Sequence, residues 1–386
     1  MSAVKWEEIQ LGDVIDIYDS KRIPLSSKER STRQGKYPYY GASGVIDHID
    51  DYIFDGEYLL IAEDGENLNS RKLPVAFWGK GKFWVNNHAH IILGKQNKAN
   101  TEFIRLWFAQ ANISGYITGA AQPKLSQANL KRISVRLPPI EVQNDVASVL
   151  SVYDSLVENN NCRISILEEM AQSLYREWFV KFRFPGYEDV KFVDSSLGKM
   201  PEGWEVTKLK DMCHLTMGQS PKSEFYNENE EGLPFFQGVK DFGQRFPAVR
   251  IWCSKPTRLA QAGDVLFSVR APVGRLNLAD QEVSIGRGLC AIRRIDGKQS
   301  FLFQQLKSIF TSEDMIGNGA IFASVTKKDM EDIKLISPEE RYVDGFVKIA
   351  DPIFKQLNKL SKKNGLLRIQ RDMLLPKLIS GGIDIN

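Results

Sequence analysis

Residues 141–181 carry the sequence EVQNDVASVLSVYDSLVENNNCRISILEEMAQSLYREWFVK, in which mostly apolar residues recur at alternating spacings of four and three. Residues 339–378 repeat this pattern about 200 positions later. Such alternation places side chains on one stripe of an α-helix, and a stripe with a strict seven-residue period forms the seam of a coiled coil. The predicted seam comprises Val146, Leu150, Tyr153, Val157, Asn160, Ile164, Leu167, Ala171, Leu174 and Trp178, followed in the second segment by Phe346, Ala350, Ile353, Leu357, Leu360, Asn364, Leu367, Arg371, Leu374 and Leu378.

The charges beside this seam favour pairing of the two segments with each other. Residues 141–181 hold three Lys/Arg and seven Asp/Glu, a net charge of −4, whereas residues 339–377 hold nine and five, a net charge of +4. Opposite charges favour the mixed pair over either self-pair. Asn160 and Arg371 are polar seam positions, which lower stability but can fix the register. The alternative, in which each helix covers only its own domain, does not predict this complementarity.

Prolines and acidic residues indicate where these helices begin and end. Pro138-Pro139 followed by Glu141 predicts the start of the first helix. Asp351-Pro352 predicts a second start, so the distal region is expected to be a short helix followed by a longer one that Pro376 stops. The 24 residues from Pro352 to Leu375 would span about 36 Å.

The repeat extends beyond the helices into two regions of mixed character, each with short strand-like runs, glycine turns and a helical pattern. The fold class is therefore expected to be mixed α/β: two α/β domains separated by an antiparallel coiled coil, with an internal pseudo-twofold repeat. The matched segments include Trp6-Glu7 with Trp204-Glu205, Gly56–Leu60 with Gly263–Phe267, Ile133 with Ile333 and Pro138 with Pro338. The predicted boundaries are a first domain at 1–137, a central helical region at 138–183, a linker at 184–200, a second domain at 201–337 and a distal helical region at 338–386.

Bulk composition restricts the class of protein without naming a partner. The 386 residues are 42% hydrophobic and 26% charged, and the net charge of +3 is too small to indicate nucleic-acid binding by itself. The four cysteines are isolated in the sequence, so neither a disulfide framework nor a zinc ribbon is expected. No apolar run is long enough to cross a bilayer or to form a signal-peptide core. These features predict a reduced, cytoplasmic protein.

The sequence contains no recognisable catalytic motif. None of its Gly-Lys pairs is followed by Ser or Thr as in a P-loop, and GxGxxG, GxSxG and HExxH are absent. His88 and His90 have no acidic or cysteine partner at a recognisable spacing, so an ordinary polar strand is favoured over a metal site. Glu63, Asp64 and Glu66 are expected to lie in a solvated loop. We therefore predict no catalytic residues, no metal and no cofactor bound by this chain.

Binding is the function that these exclusions leave open. A basic stretch at residues 20–36 precedes an aromatic group, and cations with Gln and Arg can supply phosphate and base-edge contacts. A mobile solvated loop is the equally weighted alternative. The second domain has comparable polar sites beside glycine turns. The DNA-binding candidates are Lys21, Arg22, Lys28, Arg30, Arg33, Lys36, Gln122 and Lys124 in the first domain, and Gln219, Lys222, Arg270, Arg275 and Arg287 in the second.

Several segments resemble a known family. The run Leu137–Gln143 (LPPIEVQ) followed by the long helix, the distal Leu374–Leu378 (LLPKL) and the stretch Gly263–Gly274 (GDVLFSVRAPVG) are similar to the specificity subunit of Type I restriction-modification systems. The resemblance covers essentially the whole chain. The distal copy departs from it with Arg341 and Val343 in place of the Glu and Gln of the first copy, and Gln122 is matched by Phe322. These departures weaken any claim that the two halves make equivalent contacts.

The resemblance implies a non-enzymatic DNA-binding subunit. Each α/β domain would be a target recognition domain for one part of a bipartite sequence, and a helical spacer of about 36 Å would match roughly one turn of B-DNA. Two modification subunits carrying S-adenosylmethionine would dock on the helices, and restriction subunits would add ATP- and Mg-dependent activity. Two other interpretations are a two-headed protein-binding scaffold without a DNA role and a self-contained restriction or methylation enzyme, which the missing motifs oppose.

Overall fold

The structure, a computed structural model, describes residues 5–119, 121–310, 315–316, 320–321 and 324–383. The chain divides into two compact units, Met1–Val157 with Leu366–Asn386, and Glu158–Gly365. Two long helices, Ile140–Tyr175 and Glu340–Ile379, each contribute one part to each unit. Among the described residues, none of the helices combines the length and apolar character needed to span a membrane.

The first unit is built on a six-stranded sheet. Neighbouring strands are antiparallel except for Gln34–Gly41 and Ala76–Val85, which are parallel. The helix Thr101–Gln110 begins at Asn100, whose side chain accepts a hydrogen bond from the Phe103 amide, and it buries its apolar face in the core of this unit. In spatial order the strands are Ile15–Ile17, Ala89–Gly94, Phe54–Ala62, Ala76–Val85, Gln34–Gly41 and Gly44–Ile49.

Shorter elements complete this unit. The strand Glu7–Gln10 pairs antiparallel with Ser134–Leu137, so the start of the domain lies beside its end. The remaining helical segments are the α-helices Leu11–Val14, Ser27–Thr32, Asn67–Ser70 and Gln127–Arg132 and the 3₁₀ turns Asp19–Lys21 and Ser114–Tyr116.

The second unit contains a four-stranded and a five-stranded sheet. The four-stranded sheet has the order Cys213–Met217, Leu289–Arg294, Val265–Ser268 and Leu276–Leu278. The five-stranded sheet has the order Tyr226–Asn227, Trp252–Cys253, Leu233–Phe236, Val283–Ile285 and Leu259–Ala260. Two-stranded pairs are Phe192–Ser195 with Gly198–Pro201, Glu205–Lys208 with Lys334–Ser337, and Met315–Ile316 with Ala320–Ile321. The helical segments are Arg176–Val180 (a π turn), Leu209–Met212, Ser223–Phe225, Val239–Asp241, Gln299–Ile309 and Lys327–Glu331.

Strand pairing confirms the internal repeat and corrects its register. In the first unit Leu59 lies opposite Ile92, and in the second Val265 lies opposite Ile292. Leu59 therefore corresponds to Val265, whereas the sequence match of Gly56–Leu60 with Gly263–Phe267 placed it against Leu266 and was wrong by one residue. Val265–Ser268 is buried at every position, so its sequence lacks the alternation that would have fixed the register.

The distal helix differs from its predicted form. Glu340–Ile379 is one continuous helix, so the predicted second start at Asp351-Pro352 and the predicted stop at Pro376 were both wrong. A proline inside a helix removes one backbone hydrogen bond, which is a local cost. The helix buries Phe346, Ala350 and Leu357 on both sides of Pro352, and this packing offsets that cost.

The two long helices pair with each other in an antiparallel arrangement, as predicted. In the first unit Val146 and Leu150 share a core with Leu375 and Leu378. In the second unit Ile164 packs with Leu357 and Leu360. Every predicted seam residue is buried or partly buried. The interpretation in which each helix covers only its own domain is therefore wrong.

Near its ends the buried stripe departs from the predicted seam. Leu174 and Leu374 are partly buried, whereas their neighbours Tyr175 and Leu375 are only 5% exposed. A helix with 3.6 residues per turn drifts away from a strict seven-residue repeat, which moves the buried stripe by one residue after several turns. Trp178, the last predicted seam residue of the first helix, lies beyond the α-helix in the π turn and packs on Phe346.

Polar residues fix the register of the helix pair. In the second unit the Asn160 amide donates to the Asn364 side-chain oxygen at 2.9 Å, and the Asn364 amide donates to Asn161 at 2.8 Å. In the first unit Arg371 donates to Asp154 at 2.5 Å, and Arg105 donates to the same carboxylate at 3.1 Å. A register shift would leave these buried or half-buried polar groups without partners, and that costs about 1–3 kcal/mol for each group.

We predict that Leu367→Asp lowers the free energy of unfolding by roughly 3 kcal/mol or more, because a buried carboxylate without a partner is costly. Leu367 is 8% exposed, whereas the adjacent Leu366 is 62% exposed. Leu366→Asp is therefore the matched control, with an expected change within about 0.5 kcal/mol. Urea unfolding followed by circular dichroism measures both variants. Equal losses in the two variants would contradict the position of the seam.

Candidate nucleic-acid interface

An ion network lies in the first unit where the basic stretch meets the sheet. Arg22 donates to the Glu63 carboxylate at 2.6 Å and to the Ala89 carbonyl at 2.9 Å, and its guanidinium lies 3.5 Å from Asp19. The Arg22 side chain is only 15% exposed and that of Glu63 is 12% exposed. The expectation that Glu63 lies in a solvated loop was therefore wrong. Arg22, predicted as a DNA contact, has its charge directed into the folded domain.

His90 belongs to the same network. Its Nδ1 lies 2.6 Å from an Asp19 carboxylate oxygen and its Nε2 lies 2.8 Å from the Leu125 carbonyl oxygen. Both ring nitrogens therefore lie at hydrogen-bond distance from oxygen atoms of the folded domain. Asp19, Glu63 and His90 form the acidic and histidine cluster that sequence spacing did not reveal, because the three residues lie on separate segments.

Two further arginines of the basic stretch anchor a short helix to the sheet. Ser26 and Glu29 form a capping box at the start of the helix Ser27–Thr32, so this part of the basic stretch is helical. Arg30 donates to Asp47 at 2.8 Å and lies over the Tyr39 ring, and Arg33 donates to Asp50 at 3.0 Å. These contacts position the helix, and they reduce the charge that Arg30 and Arg33 offer to a ligand.

The lysines of the same stretch face the solvent. Lys21, Lys28 and Lys36 are exposed, and none of them makes an ion pair with another described residue. Lys21 and Lys36 lie over the rings of Tyr18 and Tyr37. The structure thus divides the six cations into three arginines that hold the fold and three lysines that remain available. A DNA contact by these lysines stays a prediction.

A second group of polar residues lies at the end of the strand Phe54–Ala62. Asp64 accepts a hydrogen bond from His88 Nδ1 at 2.7 Å, and its backbone pairs with that of Lys124. Lys124 is half-exposed and lies 3.4 Å from Glu63, while Gln122 is exposed. Asp64 is only 15% exposed, so the expected solvated loop was wrong here as well. The residue matched with Gln122, Phe322, lies outside the described residues.

The second unit has a cavity of about 240 Å³ whose lining includes Gln237, Lys240, Arg270 and Arg287. Lys240, Arg270 and Arg287 are exposed; among the described residues they make no side-chain ion pair and no acidic residue lines the cavity. Ser220 Oγ accepts hydrogen bonds from the Gln237 side chain and the Arg287 amide and joins two walls. The structure thus brings together two predicted candidates, Arg270 and Arg287.

The other predicted residues of the second unit lie outside this lining. Gln219 and Lys222 are exposed on the segment around Ser220, and Arg275 is exposed at the start of the strand Leu276–Leu278. Sequence reasoning missed Gln237 and Lys240. The internal repeat could have drawn attention to Gln237, because this residue directly follows the run Leu233–Phe236, which matches Tyr37–Tyr40.

Comparison with known proteins identifies the class. Residues 3–169 and 201–368 each match the family described as Type I restriction modification DNA specificity domain. The chain therefore belongs to this family, and it carries the family's domain twice.

Relatives agree with this assignment, and a solved structure shares the fold. The chain is 32% identical over 395 residues to a putative Type I restriction enzyme MjaX specificity subunit from Methanocaldococcus jannaschii, covering 93% of this chain and 91% of that protein. It is 23% identical over 433 residues to the MjaIX specificity subunit of the same organism, with 100% and 99% coverage. The crystal structure of a Type I restriction-modification S subunit from M. genitalium has the same fold, with a TM-score of 0.66, 15% identity and coverage of 100% and 98%.

We predict that the ion network makes the first unit sensitive to acid. Burial opposes ionisation of Asp19, but hydrogen bonds from His90, the Ile91 amide and Gln127 outweigh it and hold the pKa below its ordinary value of 3.8. A carboxylate with a lowered pKa in the folded state contributes stability above its ordinary pKa, and this is lost as the pH falls through the lowered value.

Asp19→Asn should therefore lower stability by about 2–3 kcal/mol at pH 7 and flatten the loss of stability below about pH 4. Thermal unfolding measured between pH 3 and pH 7 tests both effects. Asp16→Asn changes an exposed carboxylate on the preceding strand, Ile15–Ile17, and is the control. Identical pH profiles for Asp19→Asn and the wild type would contradict the assignment.

Proposed function

We propose that this chain is the DNA-reading subunit of a Type I restriction-modification complex. The observation that carries the proposal is the duplication: corresponding strands pair in both units, and each unit is completed by parts of the same two helices. Two related binding domains on one chain suit a target sequence in two parts. We keep the predicted boundaries, with recognition domains at 1–137 and 201–337, helical regions at 138–183 and 338–386, and a linker at 184–200.

Electrostatics supports a DNA partner. Lys21, Lys28 and Lys36 of the first unit and the cavity cations of the second have no carboxylate partner among the described residues, so their charges are available to DNA. Binding to phosphates releases counterions and weakens steeply with salt. A protein-binding scaffold without a DNA role would lack that dependence, which makes a salt titration the direct test between the two functions.

The helices offer a surface for partner subunits. Within each unit, exposed apolar residues lie on the long helices, and most of them are three or four residues from the next. Such an apolar stripe on a surface helix marks an interaction site. The exposed residues are Val152, Leu156, Leu366, Ile369 and Met373 in the first unit and Ile166, Met170 and Ile349 in the second. We assign this stripe to the modification subunits.

In this proposal the chain binds DNA, and its partner subunits carry out the catalysis. The modification subunits would bind S-adenosylmethionine and methylate a base flipped out of the duplex. Restriction subunits would use ATP and Mg²⁺. The complex would act in the cytoplasm, in keeping with four cysteines that are not in disulfides.

Exchanging residues 1–137 for the corresponding domain of another family member should change one half of the methylated sequence and leave the other half unchanged. The reason is that each recognition domain contacts its own half-site. Sequencing that detects methylated adenines, in cells carrying the chain and its modification subunits, gives both halves at once. A change in both halves would refute modular recognition, and a wild type that methylates no defined sequence would refute the function.

Leu366→Asp and Ile369→Asp should abolish copurification with the modification subunits while leaving the thermal stability of the isolated chain unchanged. Leu366 is 62% and Ile369 is 58% exposed, so a charge there costs little in the free chain but is buried in the assembly. Ile46→Asp, at a 52% exposed apolar residue on a strand of the first unit, is the control and should retain assembly. Retention by all three variants would show that the partners dock elsewhere.

A further inference from the structure

The two units place different chemistry at the same backbone position. In the first unit the Glu63 amide donates to the His88 carbonyl at 2.9 Å, and in the second the Val269 amide donates to the Gly288 carbonyl at 3.0 Å. These bonds make Glu63 equivalent to Val269 and His88 equivalent to Gly288. The next residue along each chain is then Asp64 in one unit and Arg270 in the other.

A second set of contacts confirms this correspondence. The Leu125 amide donates to the Glu63 carbonyl at 2.7 Å, as the Val325 amide does to the Val269 carbonyl at 2.9 Å. Asp64 forms a bridge with Lys124, and Arg270 forms the same bridge with Ser324. The position before His88 and Gly288 is occupied by Asn87 in one unit and Arg287 in the other, both exposed.

The donor and acceptor character of the position is reversed between the units. The first unit presents the Asp64 carboxylate, which only accepts hydrogen bonds, with Nδ1 of His88 2.7 Å from one of its oxygens. Lys124 is the neighbouring cation, and its charge faces Glu63 at 3.4 Å. The second unit presents Arg270 and Arg287, which are donors only.

This reversal indicates that the shared position contacts bases and does not bind phosphate in both domains. Phosphate contacts position a protein on any sequence and need donors in both copies of a repeated fold. Asp64 cannot contact a phosphate, so the shared position is not a phosphate grip common to both domains. A position that keeps its backbone and changes from acceptor to donor is expected where two domains read different bases.

The chemistry of the major groove then selects the base. Guanine presents only acceptors there, N7 and O6, whereas adenine and cytosine each present an amino donor. Arginine pairs with the two guanine acceptors, and a carboxylate accepts from an amino group. Resting on the proposed function, we infer that Arg270 and Arg287 read a guanine in the half-site of the second domain.

The floor of the cavity is closely packed protein backbone. Gly288 lies against the Gln237 carbonyl, and a Cβ at this glycine would lie 2.4 Å from that oxygen. The Gln237 side chain donates a hydrogen bond to Ser220 Oγ at 3.1 Å. The Asp241 carboxylate accepts a hydrogen bond from the backbone amide of Gln237 and also pairs with Arg250. The Asp241 carboxylate is thus paired with Arg250, and among the described residues Arg270 and Arg287 have no carboxylate partner.

The first test is the methylated sequence produced by Arg270→Gln and Arg287→Gln chains assembled with the modification subunits. The domain exchange shows which half-site belongs to the second domain. Each variant should lose or change the requirement for one guanine in that half and leave the other half intact. Arg258→Gln, at an exposed arginine outside the cavity lining, is the matched control and should keep the whole sequence.

The second test uses duplexes altered at that guanine. Replacing it with 7-deazaguanine, which lacks N7, should weaken wild-type binding by about 5- to 150-fold, whereas inosine, which keeps N7 and O6, should bind nearly as well. The substituted chains should not distinguish 7-deazaguanine from guanine.

Two outcomes would overturn the inference while leaving the proposed function in place. One is a half-site without any guanine requirement. The other is equal weakening on every sequence, accompanied by a smaller salt dependence, which would make the arginines phosphate contacts. Failure of the proposed function itself would look different, because the wild-type assembly would then show neither salt-dependent DNA binding nor a defined methylated sequence.

Discussion

Antiparallel pairing of the two long helices is the constraint on which the rest of the structure depends. The core of the first unit is completed by Leu375, Leu378 and Ile379 from the end of the chain, so this unit cannot form from contiguous sequence. Near the same end Gly381 adopts a positive φ and lies against Trp6, where a Cβ would approach the indole to 2.7 Å. The two ends of the described chain therefore fold together.

The polar seam residues give this pairing its specificity. Apolar packing supplies most of the stabilisation, but an apolar seam with a seven-residue repeat tolerates shifts of one repeat. The Asn160–Asn364 hydrogen bond in the second unit and the Asp154–Arg371 pair in the first are satisfied in one register only. Because each unit contains parts of both helices, an error in register would damage both cores.

Duplication explains why recognition chemistry can differ between two domains of one fold. The strand register and the amide–carbonyl bonds that hold Glu63 and Val269 are the same in both units. These backbone bonds do not depend on the side chain of the following residue. Asp64 and Arg270 can therefore differ in charge without cost to the framework, and a change of target base needs no change of fold.

The sequence by itself determined the helix pair, the mixed α/β class, the repeat and the family, because these features are carried by periodicity and by local motifs. It did not determine the continuity of the distal helix through Pro352, since packing of Phe346 and Leu357 offsets a local signal. It also did not distinguish Arg22, Arg30 and Arg33 from Lys21, Lys28 and Lys36. Only the tertiary structure brought Glu63, Asp47 and Asp50 to the arginines, because these carboxylates lie on other segments and their distances depend on the folded sheet.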